Sequence, residues 1–129
     1  MMDIYSLVPR HKFDNANIEL LKIVDIKEAT PIMEELLEWL QDINWPVAKE
    51  LMDVLPRFHF ELVPHIKEVL SSNDDIWKCW TLCLLEKFPK ETVILLTDDI
   101  KRIVNEPTKG ELEEDTHVYA QEVIARFKL

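Results

Sequence analysis

A single glycine, Gly110, is the feature that most limits how this chain of 129 residues can fold. An average chain of this length carries roughly nine glycines. Tight β-hairpins favour Asn-Gly or Asp-Gly pairs, and neither pair occurs in the sequence. Phosphate-binding loops, dinucleotide-binding turns and nucleophile elbows also need glycine, because it lets the backbone turn tightly beside a ligand. The shortage disfavours antiparallel β folds and these classes of enzyme.

Prolines mark most of the boundaries between segments. Proline is favoured at the first position of a helix, where its missing N–H would have no helical partner. Pro31 and Pro46 therefore predict helix starts. Pro89 and Pro107 predict positions where a helix has already ended.

The apolar residues between these prolines recur with a helical period. A short N-terminal helix is also expected from about Asn15 to Ile23, with Asp14 as its cap. Residues 74–88 are apolar almost all round, so this helix should lie in the middle of the fold. The amphipathic stripes span residues 32–43, 47–55, 63–70, 93–104 and 112–127.

Paired helices recur along the chain, since the apolar pattern around Leu36 returns around Ile66 at an offset of 30 residues. A period of roughly 30 to 40 residues with paired helices is typical of α-solenoids. The sequence predicts an all-α fold, a small α-α superhelix (a HEAT/ARM-like solenoid) of about seven antiparallel helices. We expect one domain over residues 1–129, with a short N-terminal segment 1–13. The helical hairpins are expected at about 30–58, 62–88 and 90–129.

Two resemblances support this fold. Residues 40–47 (LQDINWPV) resemble the turn of a HEAT repeat, and Lys78 occupies the basic position of the second unit, where the first unit has Ala48. Three motifs, at residues 7–12, 38–48 and 66–78, are similar to those of a bacterial family, domain of unknown function 5071. This resemblance covers about residues 7–127. The resemblance implies an α-α superhelical fold and no particular activity.

The net charge of −10 limits the possible partners. An acidic surface repels phosphate backbones, so binding to nucleic acid is not expected. Residues 1–7 lack the features of a signal sequence, and no apolar run is long enough to cross a membrane. The two cysteines do not form a disulfide framework, so we expect a cytoplasmic protein.

The cysteines and histidines raise two further possibilities, a metal site and an enzyme. Cys79 and Cys83 lie one helical turn apart and could join His59 and His65 around a metal, but two small side chains packed in a buried helix is the favoured interpretation. No spaced histidine pair or serine-based catalytic motif occurs. The acidic residues of 34–38 and 111–115 are expected to be solvated. We expect no metal, no cofactor and no catalysis.

The tryptophans are the most informative residues. Trp39 lies on an apolar stripe and is expected to be structural. Aromatic residues on solenoid surfaces often anchor partners. The alternative is that they fill the core, which we favour for Trp80, whereas both interpretations stay open for Trp45 and Trp77. The candidate partner-binding residues are Asp42, Asn44, Trp45, Trp77, Lys78 and Trp80.

The expected function is that of a non-catalytic interaction module that binds a basic protein or peptide by shape and charge. An immunity-type inhibitor of a basic toxin is an alternative, because an acidic domain would capture a cationic target quickly. A third possibility is a HEAT-like enzyme that processes nucleic acid. The net charge disfavours this last possibility.

Overall fold

The computed structural model describes residues 3–129, and all of its regular structure is helical, with no β-strand in that range. The expected all-α class is therefore confirmed. Met1 and Met2, which belong to the N-terminal segment expected at 1–13, lie outside the described residues. Across positions 3–129, every helix is too short or too polar to cross a membrane.

The N-terminal part consists of short elements. A 3-10 turn at Ile4–Leu7 is followed by helix α1 (Ile18–Leu21). The helix expected over residues 15–23 is therefore only one turn long. Asp14 does not cap it, because its carboxylate accepts the backbone N–H groups of Arg10 and Ala16 instead.

The first long helical region starts earlier than Pro31 predicted. Helix α2 (Ile26–Ala29) begins after Asp25, whose carboxylate accepts two backbone N–H groups of its first turn. Pro31 lies in the 3-10 turn that joins α2 to α3 (Met33–Glu38). Helix α4 (Pro46–Val54) starts at Pro46 as expected, because proline suits the first helical position.

The second half of the chain contains the longest helices. Helix α5 tolerates Pro64 on its exposed side, and α9 starts with a capping box in which Thr108 and Glu111 bond to each other's backbone N–H. The helices are α5 (His59–Leu70), α6 (Asp75–Leu85), α7 (Lys90–Val93), α8 (Thr97–Asn105), α9 (Lys109–Glu113) and α10 (Thr116–Phe127).

The helices pack in two rows. Helix α3 lies against α5, and α5 lies against α8, whereas α6 lies against α10. Contacts between α5 and α6 and between α8 and α10 join the rows. This order of neighbours is compatible with stacked hairpins. Leu36, Leu51, Leu62 and Leu82 are fully buried in the shared core, and each contributes roughly 1.5–3 kcal/mol of transfer free energy.

Helix α6 lies between other elements, as its apolar composition predicted. It contacts α5, α10 and the 3-10 turn Trp39–Gln41 that follows α3. Leu82, Leu84 and Leu85 are buried, whereas Ile76 near its start is about half exposed (48 %). The N-terminal end of α6 thus reaches the surface beside α3.

Candidate interaction site

Two neighbouring clefts flank helix α3 and the turn after it. The first, which we call the Trp45 cleft, encloses about 320 Å³. Two tryptophan rings form its apolar side, and two glutamates form its charged side. Its lining residues are Val8, Pro9, Glu35, Glu38, Trp39, Gln41 and Trp45.

The second cleft, which we call the Trp77 cleft, lies between α3, α5 and the start of α6 and encloses about 270 Å³. Glu38 and Gln41 line this cleft as well, so the two clefts share a wall. Its lining residues are Glu34, Leu37, Glu38, Gln41, His65, Glu68, Val69, Ser72 and Trp77.

The aromatic walls are held in place by defined contacts. The rings of Trp39 and Trp45 meet edge to face, with centroids 5.4 Å apart and an angle of 75° between their planes. The indole N–H of Trp77 donates to the carbonyl of Leu37 at 3.0 Å. Such contacts orient the rings before any ligand arrives, which lowers the entropic cost of binding.

The turn before α4 positions Trp45. The Asp42 carboxylate accepts the backbone N–H of Asn44 at 2.9 Å, and the Asp42 carbonyl accepts the N–H of Trp45 at 3.1 Å. Asp42 is partly buried and Asn44 is exposed, but neither lines a cleft. Asp42 therefore supports the site by shaping the turn.

The charged sides of the clefts carry Glu34, Glu35, Glu38 and Glu68, all exposed. None of these four carboxylates forms an ion pair with any residue in the described range 3–129. Partial burial and the neighbouring charges of Glu34 and Glu35 raise the pKa of Glu38. The face thus presents negative charge that the fold itself leaves unneutralised.

The candidate residues are not all brought together. Trp45 and Trp77 line the two adjoining clefts. Trp80 lines neither cleft, and it packs against the hydrophobic core while partly buried. This placement agrees with the core interpretation of Trp80.

Lys78 is the candidate that the structure moves away from the surface. Its side chain is only 2 % exposed, and its Nζ lies 3.0 Å from Oδ1 of Asp75 and 2.9 Å from Oε2 of Glu111. The expectation that Lys78 offers a partner a polar contact is therefore corrected. The charge of this lysine is satisfied inside the protein.

Lys78 belongs to a charge cluster made of Asp75, Lys78, Arg102 and Glu111. We call it the buried charge cluster because Lys78 and Glu111 are buried, whereas Asp75 and Arg102 are partly exposed. The Arg102 guanidinium donates to both Glu111 oxygens, at 2.6 and 2.7 Å, and the backbone N–H of Thr108 donates to Oε1 at 2.8 Å. Burial raises the pKa of Glu111, but these donors and Lys78 outweigh it and hold that pKa at about 2. The cluster joins α6, α8 and α9.

Sequence reasoning missed Glu111, because it counted this residue among the solvated acidic residues of 111–115. Glu111 is fully buried, whereas Glu113 and Glu114 are exposed. The spacing of Thr108 and Glu111 in a capping box was the available signal, since it anchors one oxygen of the carboxylate at the start of α9.

Among residues 3–129, no group of three or more histidine, cysteine or acidic side chains is placed to hold a metal ion. Burial raises the pKa of both thiols, that of Cys83 to about 11, so they are protonated at neutral pH. Cys79 lies 3.4 Å from the hydroxyl of Thr116. His59 shares a 2.7 Å hydrogen bond with Thr92 across the α5–α7 contact.

Comparison with known proteins identifies the family. The family model described as Domain of unknown function (DUF5071) matches residues 7–124. No curated protein matches the chain. The match spans nearly all of the sequence, including both tryptophan clefts and the buried charge cluster. The chain therefore belongs to the DUF5071 family of domains of unknown function.

Proposed function

We propose that this protein is a non-catalytic interaction module whose two tryptophan clefts bind a basic segment of a partner protein. One observation carries the proposal: unpaired carboxylates stand beside oriented tryptophan rings in both clefts. Lysine and arginine side chains combine an apolar stem with a cationic head, so they match such walls chemically.

The charge of the whole chain supports the same partner class. The net charge of −10 attracts cationic segments over a distance and raises their rate of encounter. The carboxylates of the clefts then provide local complementarity. Because exposed charges are screened by salt, we expect affinity to fall as ionic strength rises.

The proposal includes a cytoplasmic location and no chemistry. Cys79 and Cys83 are free, which suits a reducing compartment. Their raised pKa values leave them poor nucleophiles, because the thiolate is the reactive form. These properties support a binding role for the surface.

The proposal is tested by titrating the full chain with synthetic peptides that differ only in charge sign. Calorimetry should show saturable binding of the basic peptide and no binding of its acidic counterpart. The variant Trp45→Ala should weaken binding strongly, and so should Glu38→Gln. Glu122→Gln removes another exposed carboxylate, which lies on α10 outside both clefts, and should bind as the original chain does.

Two results would contradict the proposal. One is equal binding of the acidic and basic peptides, which would remove charge complementarity as the basis. The other is unchanged affinity in both Trp45→Ala and Glu38→Gln, which would place the binding site elsewhere. Circular dichroism of each variant establishes that it retains its helical fold.

A further inference from the structure

We infer that the two clefts form one divided site that binds two cationic side chains of the same peptide, with an arginine in the Trp45 cleft and a second basic residue in the Trp77 cleft. This inference rests on the proposed function and specifies its ligand. Two basic residues at a suitable spacing, rather than general positive charge, would then define the partner.

The two clefts share one wall. Glu38 ends α3 and Gln41 ends the 3-10 turn after it, and both side chains line both clefts. A peptide that crosses this wall therefore places side chains in both clefts without leaving the surface. Glu38 faces both positions, so a single carboxylate contributes to the binding of both cations.

Both clefts are small. Drug-sized ligands occupy pockets of about 300–1,000 Å³. The two clefts, at about 320 and 270 Å³, lie at or below the lower end of that range. Each therefore accommodates one long side chain and not a folded element.

The geometry of the Trp45 cleft favours arginine. Its tryptophan rings stand nearly perpendicular, at 75°, with Glu35 and Glu38 beside them. A guanidinium is planar, stacks on an aromatic face and still presents a fork of N–H donors to a carboxylate. A lysine ammonium has neither the plane nor the fork, so it makes fewer contacts with the tryptophan rings and the carboxylates of this cleft.

The Trp77 cleft is less selective. Its carboxylates come from two helices, with Glu34 on α3 and Glu68 on α5, and the indole N–H of Trp77 is already bonded to Leu37. The ring therefore offers an apolar surface for a side-chain stem, and the carboxylates neutralise the head. Either lysine or arginine satisfies this combination.

The test uses synthetic peptides whose other residues are uncharged and that carry one arginine, or two arginines separated by one to four residues, titrated into the full chain by calorimetry. At the best spacing, two arginines should bind roughly 10-fold or more tightly than one, because the second contact is intramolecular. Replacing the arginine of the Trp45 cleft by lysine should weaken binding severalfold. Replacing the arginine of the Trp77 cleft by lysine should change the affinity little.

Variants assign each arginine to a cleft. Trp45→Ala removes the binding position in the Trp45 cleft, so two arginines should then bind no more tightly than one. The paired change Glu34→Gln with Glu68→Gln should have the same result, because it removes the position in the Trp77 cleft. Glu38→Gln should weaken the two-arginine peptide more than either one-cleft variant does. Glu122→Gln is the matched control and should preserve the full advantage.

The outcomes separate the two levels of proposal. If one- and two-arginine peptides differ only by a statistical factor of about two at every spacing, the divided site is wrong and the basic-segment proposal stands. If no basic peptide binds, both proposals fail. A spacing optimum that Trp45→Ala removes supports both.

Discussion

Glu38 and Glu111 show how differently the fold treats two carboxylates. Glu111 is fully buried, yet Arg102, Lys78 and the Thr108 N–H hold its pKa at about 2. Glu38 is exposed beside the clefts, and its pKa is raised by partial burial and by neighbouring glutamates. One carboxylate has all its partners inside the protein, and the other has none among residues 3–129.

This difference separates structural charges from available ones. The buried charge cluster satisfies its groups internally, with Lys78 and Glu111 buried and Arg102 partly exposed, so it joins α6, α8 and α9. The clefts concentrate negative charge, and at Glu38 the neighbouring carboxylates and partial burial disfavour the charged form. Charge that the fold leaves unpaired is the charge a partner can use.

Removing Glu111 should have the largest effect on stability. Glu111→Ala leaves Lys78 and Arg102 without their shared partner, which should cost roughly 3–5 kcal/mol of unfolding free energy. The control Glu113→Ala removes a carboxylate that is 61 % exposed and 4.0 Å from Lys109, and should change stability by less than about 0.5 kcal/mol. Urea denaturation measures both, and equal losses would contradict a structural role for the cluster.

Acid should weaken the protein through the same carboxylate. The folded pKa of Glu111 is about 2, below its ordinary value of 4.5, so its contribution is present above pH 4.5 and is lost as pH falls toward 2. The unfolding free energy, measured by denaturant titration, should therefore decrease as the pH is lowered from 4.5 toward 2. The paired change Glu111→Gln with Lys78→Met removes both charges and should flatten this part of the profile. An unchanged slope would rule out Glu111 as the titrating group.

Gly110 should show an intermediate and context-dependent effect. A Cβ at this position would overlap the Asp75 carboxylate, which accepts a hydrogen bond from Lys78. Gly110→Ala should therefore cost about 1 kcal/mol, despite the better helix propensity of alanine.

The second background isolates the cause of that loss. In a chain that already carries Asp75→Ala, the overlap is gone, and Gly110→Ala should stabilise α9 by up to about 1 kcal/mol. A thermal-unfolding cycle of the four proteins measures this reversal of sign. If Gly110→Ala has the same effect in both backgrounds, the crowding is not with Asp75.

The smallest expected effect on the stability of the free protein is at Glu38. Its raised pKa means that the fold disfavours its charge, so Glu38→Gln should stabilise the free protein by no more than about 0.5 kcal/mol. The same change should weaken binding of a basic peptide. Differential scanning calorimetry paired with peptide titration measures both, beside Glu122→Gln as the neutral control. Lower stability in Glu38→Gln would show that its charge has a structural role.

Much of the local structure was predictable because its causes are local. Proline at residue 46 sets a helix start through its own backbone chemistry, and the apolar period around residues 63–70 forms the buried side of a helix. Pro31 misled because its 3-10 turn is continuous with α2, which Asp25 caps upstream. The prediction rested on Pro31 alone and did not use the capping signal of Asp25.

The candidate site was predictable only in part. Trp45 and Trp77 were grouped as partner-binding residues, and the structure places them in adjoining clefts, one in the turn before α4 and the other near the start of α6. Lys78 was misplaced because its partner Glu111 lies 33 residues away in the chain. No local pattern predicts which glutamate a lysine meets when distant helices pack.

The sequence by itself determined that this chain is helical, acidic and poor in turns that depend on glycine, because composition, period and capping act between near neighbours. Tertiary structure alone decided which charges are enclosed and which are open. Glu111 is buried and paired because α9 packs beside α6 and α8. Glu38 lies between the two clefts because α5 and the start of α6 pack beside α3. The physical reason is that desolvation and pairing depend on groups brought together from distant parts of the chain.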